Sequence, residues 1–149
     1  MQHTPHPKAP GVPVGITELM IHDLVHSFYA EVRRDPLLGP IFGARIEDWD
    51  AHLEKLCAFW SSVVLMTGRF KGRPMPVHIA IPDISIEHFE RWLALFRATA
   101  KKVCPEPAAA LFIDRAERIA ESLHLGISLH RGEGPGFTPA KFGSTPANT

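Results

Sequence analysis

"VHIAIPDISIEHFERWLALF", residues 77–96, joins two pieces of different character. From Ser85 onward, Phe89, Trp92, Leu93 and Phe96 recur at spacings of three and four, the period of an amphipathic helix. Ahead of it, residues 77–81 form an apolar piece with His78 near its start, closed by Pro82. That piece is too short to be a core helix of its own. An imidazole placed there has two readings. It is a surface or satisfied core histidine, or it is a functional group held against the start of an aromatic-rich helix.

Outward from this stretch the chain reads as helix after helix. Thr17 predicts an N-cap, with Ile16 and Ile21 at staple positions, and the helix behind it runs to about Arg34 with Leu24, Val25, Phe28 and Val32 on its apolar stripe. Asp35-Pro36 predicts a capped start for the short piece "PLLGPIF". Glu47 and Asp48 favour the start of a helix through its dipole. Trp49, Leu53, Leu56, Phe59, Trp60, Val63 and Val64 then follow at helical spacing, and that helix stops before Gly68. "GRFKGRPMP" reads as a loop with solvated basic side chains. The last helix is expected from about Pro107 to Leu125, using Leu111, Phe112, Ala116, Ile119 and Leu123, with Gly126 as its stop. Four long amphipathic helices and two short pieces predict an all-α domain over residues 16–126. Residues 1–15, with four prolines, and the Gly/Pro-rich residues 127–149 are expected to be poorly ordered extensions.

The totals exclude several classes. The formal charge is zero, so nothing calls for nucleic acid or an anionic membrane as partner. No apolar run approaches the roughly 20 residues needed to span a bilayer, and the first residues lack a continuous apolar signal core. Cys57 and Cys104 make neither a CxxC nor a disulfide framework, which fits a reducing, cytoplasmic setting. Glycine-rich phosphate cradles, HExxH, zinc-type Cys/His spacings, paired Glu-x-x-His motifs and a GxSxG elbow are all missing. Of the nine histidines, His22 and His26 stand one helical turn apart without an evident third metal ligand.

The aromatic residues Phe28, Phe42, Phe59, Trp60, Trp92 and Phe96 are crowded into the middle of the chain, which is what a large helical core looks like. Yet polar groups fall at the same depth: the single tyrosine Tyr29, His52, His78 and the Trp92 indole. A buried polar group left without a partner costs about 1–3 kcal/mol. Four of them aimed into one apolar domain suggest a cavity with an occupant. A flat, mostly apolar cofactor held by one imidazole would satisfy that list.

Four stretches together resemble the group III truncated haemoglobins: "FYAEVRRDPLLGPIF" (28–42), "EDWDAHLEKLCAFW" (47–60), the histidine followed by "IAIP" (78–82), and "EHFERWLALF" (87–96). They match in order and at near-matching spacing, and together cover most of residues 17–125. The chain also shares that group's lack of paired-glycine motifs. The resemblance implies a two-over-two helical sandwich around haem b (iron protoporphyrin IX), with His78 as the proximal iron ligand. Tyr29 and Trp92 would be distal hydrogen-bond donors, with His52 as the distal histidine, acting as a gate or as a second iron ligand. Phe42 would pack on the haem face, Phe28, Leu53, Leu56, Phe59, Trp60 and Phe96 would complete the walls, and Arg69 or Lys71 would face the carboxylates of the haem propionates. The ligands implied are O2, NO and CO. Two distal donors predict slow O2 release, hence redox or detoxifying chemistry such as NO dioxygenation or a peroxidase-like reaction, with a separate reductase, in preference to O2 transport. A haem-based sensor or electron-transfer protein is a second reading, and a cofactor-free helical interaction domain a third.

Overall fold

The computed structural model of the chain describes residues 4–72, 84–130 and 132. Thr17 is extended, and its hydroxyl accepts the Met20 N–H at 3.2 Å, so α1 (Glu18–Arg34) begins at the predicted cap. Ile16 and Ile21 are both buried beside it, completing the staple. Asp35 closes α1 and opens the next element. Its N–H bonds the Val32 carbonyl, and its carboxylate accepts the N–H groups of Leu37 (3.1 Å) and Leu38 (2.9 Å) at the start of α2 (Leu38–Arg45). This tight corner needs Gly39, because a Cβ there would lie 2.8 Å from the Arg33 carbonyl oxygen.

Asp48 is the N-cap of α3 (Trp49–Leu65), accepting the Ala51 N–H at 3.1 Å. At the start of α4 (Ile86–Val103), the Ser85 N–H donates to His88 Nδ1 at 3.0 Å. The final helix, α5, is Glu106–His130. Helix α1 packs against α3 and crosses α4, and α4 pairs with α5, so two helices lie over two. Arg97 of α4 reaches Glu117 of α5 at 2.7 Å in a half-buried ion pair. Leu24, Leu93, Phe96 and Phe112 fill the crossing. Among the described residues every regular element is a helix, and none is long and apolar enough to cross a membrane.

Two expectations change. Helix α5 does not stop at Gly126 but continues to His130. Ile127 and Ser128 are buried, and their packing carries the helix past a residue that by propensity would end it. The leader also departs from the expected looseness. The His6 N–H bonds the Leu65 carbonyl (2.9 Å), the Gly11 N–H bonds the Val64 carbonyl (2.8 Å), and Ala9 is buried. A helix end leaves its last carbonyls unpaired, and residues 6–11 supply partners to α3. Gly11 permits the approach, since a Cβ there would meet the Val64 oxygen at 2.7 Å.

Candidate functional site

Tyr29 lies on the buried stripe of α1, with 4% of its surface exposed. The Trp92 indole, from α4, lies close enough to its hydroxyl to favour the ionised form. Burial pushes the phenol up to about 12, against the opposing pull of the Trp92 indole. At neutral pH Tyr29 is therefore a neutral hydroxyl. Its hydroxyl hydrogen is free to donate.

Around this pair the aromatic rings form one connected group. Phe28 meets Tyr29, Trp92 and Phe96 edge-on, at centroid distances of 4.7, 5.4 and 5.0 Å. Phe96 lies between Trp92 and Trp60 and stacks on both, at 5.4 and 5.3 Å. Phe42, brought in by α2, meets the edge of Tyr29 at 5.8 Å. His52 of α3 is half-buried, its ring perpendicular to Tyr29 at 6.3 Å. Leu53 is buried and Leu56 half-buried on the same helix. Phe59 is half-buried too, and joins the group through Trp60 (5.7 Å) while also packing on Phe70 (5.2 Å). The three polar groups Tyr29, His52 and Trp92 thus come from three helices to one aromatic cluster.

Trp49 belongs to this cluster, although its spacing marks it only as part of an apolar stripe. It is half-buried against His52 (5.8 Å), Tyr29 (6.4 Å) and Phe42 (6.5 Å), with the Arg33 guanidinium 4.5 Å above its ring. The signal available in the sequence is a tryptophan three residues before His52, in the first turn of the same helix.

His78 lies outside the described residues, as do Pro82 and Arg73 of the adjoining loop. Arg69 is drawn to a different carboxylate from the one considered for it. It donates to Glu18 at 2.6 Å, and the other Glu18 oxygen accepts the Ser61 hydroxyl at 2.6 Å. Ser61 in turn bonds Thr67, so this polar set fastens the loop after α3 to the start of α1. His22 and His26 stack at 3.9 Å on the exposed side of α1. Burial and then the His22 charge lower the His26 pKa, with Asp50 and Asp23 opposing. Among the described residues no three ligating side chains gather to hold a metal ion. Cys57 and Cys104 are buried free thiols; burial first raises both, Cys104 to about 11, so neither is a thiolate at neutral pH.

Two pairs of crossed helices closing on a buried aromatic cluster are the globin architecture, and a solved structure agrees. The crystal structure of the group III truncated haemoglobin from Campylobacter jejuni superposes with a TM-score of 0.72 at 33% identity, covering 76% of this chain and 92% of that one. The sequence is 36% identical over 109 residues to the group 3 truncated hemoglobin ctb of Campylobacter jejuni, covering 70% of this chain and 86% of that protein. The chain belongs to the group III truncated haemoglobins. No protein-family model matches it.

Proposed function

We propose that the chain binds haem b and, through it, O2 and other diatomic ligands, with His78 as the proximal ligand and Tyr29, Trp92 and His52 on the distal side. The observation that carries this reading is the neutral Tyr29 hydroxyl, buried within an aromatic cluster and close to the Trp92 indole. The cluster fits the group chemically: flat apolar walls from Phe28, Phe42, Trp60 and Phe96, with donors confined to one part of it. The haem supplies a redox-active iron that takes a diatomic ligand.

The rest is the work of the chain's own side chains. Tyr29 offers its O–H, and Trp92 offers an N–H that either supports Tyr29 or turns to the ligand. A charge-assisted hydrogen bond to a partly negative ligand is worth about 1–3 kcal/mol. Two donors slow release and retain the ligand for reaction, which favours turnover of O2, NO or peroxide with an external reductase over O2 delivery. The aromatic walls exclude water, and exclusion of water strengthens both bonds. His52, half-buried and edge-on to Trp49, would close the distal side or ligate the iron itself.

The test is the absorption spectrum of the purified chain with added haem, ferric and then reduced, beside His78→Ala. A sharp Soret band that weakens or shifts in the variant supports ligation by His78, and the reduced spectrum tells a His52-ligated iron from an open one. A folded chain that takes up no haem overturns the reading and leaves the aromatic cluster as an ordinary helical core. Tyr29→Phe should then speed O2 release about tenfold or more, the loss of one such bond.

A further inference from the structure

Asp35 is the most buried carboxylate among the described residues, with 1% of its side chain exposed. It takes part in three contacts that bear on the distal cluster. Its Oδ2 accepts the Leu37 and Leu38 N–H groups, which fixes the start of α2 and hence the helix that brings Phe42 to Tyr29. Its backbone closes α1, the helix that carries Tyr29. Its Oδ1 accepts Arg91 Nε at 2.6 Å, across 56 residues, from α4. Arg91 is the residue immediately before Trp92. One carboxylate thus joins the backbones that present Tyr29, Phe42 and Trp92.

We propose that Asp35 and Arg91 are a positioning pair that holds the Trp92 indole beside the Tyr29 hydroxyl. This rests on the distal role given to those two residues above. The physical case is one of leverage. Trp92 is half-buried and is steered by Phe28 and Phe96, whose edge-on and stacked contacts tolerate some rotation of the indole plane. An N–H donor is less tolerant, because its bond weakens steeply as the angle closes. Something must therefore hold the turn of α4 that carries Trp92 in register with α1. A charge-assisted bond to a carboxylate already locked by two backbone N–H groups does so without mobile intermediates. Arg91 is half-exposed, so its value lies in orientation and not in core packing.

The variants are Arg91→Met, which removes the donor but keeps the apolar stem, and Arg91→Lys, which restores a cation. Solvent exchange of the Trp92 indole proton is followed by nitrogen-edited NMR in the diamagnetic ferrous CO form, with the resonance assigned by its loss in Trp92→Phe. O2 dissociation is timed on the same proteins. Arg91→Met should speed both indole exchange and O2 release, each by about three- to tenfold, with the Soret band and haem retention unchanged. Arg91→Lys should recover part of both. The proposal is overturned if Arg91→Met lowers the melting temperature yet leaves indole exchange at the wild-type rate, since the pair is then only a structural tie. The two readings fail separately. If Trp92→Phe does not alter O2 release, or the chain takes up no haem, the distal role falls, and indole exchange in the chain as purified still decides whether Arg91 positions Trp92.

Discussion

Tyr29 is the chain's single tyrosine, so its ionisation is readable without interference from another phenol. Its buried phenol titrates at about 12 against an ordinary 10.0. A group with a raised pKa contributes full stability below its unfolded value and loses it as the pH climbs towards its folded value. Above pH 10 the unfolded chain therefore sheds the Tyr29 proton while the folded chain keeps it. The loss from this group is about 1.4 kcal/mol near pH 11 and approaches about 2.7 kcal/mol above pH 12. Tyr29→Phe removes it. At neutral pH the same substitution costs about 0.5–1.5 kcal/mol, because the Trp92 indole loses its polar neighbour. The two curves should therefore cross near pH 11, with wild type the more stable below and the Tyr29→Phe variant the more stable above. Cys104, raised to about 11, destabilises both proteins alike on the alkaline side and cancels in the difference. The assay is urea unfolding of both proteins, in the same haem state, at steps from neutral pH upwards, with the tyrosinate absorption band recorded on the folded wild type. A stability difference that stays flat across this range would refute the reasoning. So would a phenol that ionises at its ordinary pH while the protein remains folded.

Three further outcomes follow from particular contacts. Gly39→Ala forces a Cβ to 2.8 Å from the Arg33 carbonyl oxygen and should cost about 1–3 kcal/mol in urea unfolding. It should also weaken haem uptake by displacing Phe42. Phe96→Ala empties a site 1% exposed between Phe28, Trp60 and Trp92, and should cost about 3–5 kcal/mol by the same assay. Burial raises the Asp35 carboxyl, but the bonds from Leu38, Arg91 and Leu37 outweigh it and hold it below its ordinary 3.8. Its contribution is thus full above 3.8 and is lost as the pH falls from there through its lower folded value, so the stability gap between wild type and Asp35→Asn should narrow on acidification below 3.8.

The helix frame was legible because its signals are local. Thr17 and Asp48 cap their helices through bonds three residues long, and Asp35 followed by proline marks the α1–α2 corner. The proposed distal residues were legible only as a list of polar groups on apolar stripes, with their roles supplied by resemblance. What escaped the sequence is what long-range packing decides. Helix α5 overruns Gly126 because Ile127 and Ser128 find a buried surface. The leader is fastened because the end of α3 has carbonyls to satisfy. Trp49 has the spacing of a core residue, and only the placement of Arg33 and His52 reveals it as part of the cluster. The Asp35–Arg91 bond spans 56 residues, and neither residue is unusual at its own position.

The position of the donors bears on which ligands the proposed pocket would hold. Tyr29 and Trp92 stand on α1 and α4, two of the four long helices, which pack on each other, and not on a loop. Groups on packed helices move little relative to one another, so a ligand placed between them meets hydrogen-bond donors already in place and incurs little reorganisation on binding. Because the Tyr29 phenol titrates so high, it stays a donor throughout the physiological range and does not become an anion that would repel a negatively polarised ligand. Such a site discriminates by polarity. A hydroxyl donor held in place strengthens the hold on O2, which accepts hydrogen bonds when bound, and adds little for CO, which accepts them poorly. On the proposed reading, the selectivity of this chain therefore resides less in the size of its aromatic cluster than in how firmly one indole is held beside one hydroxyl.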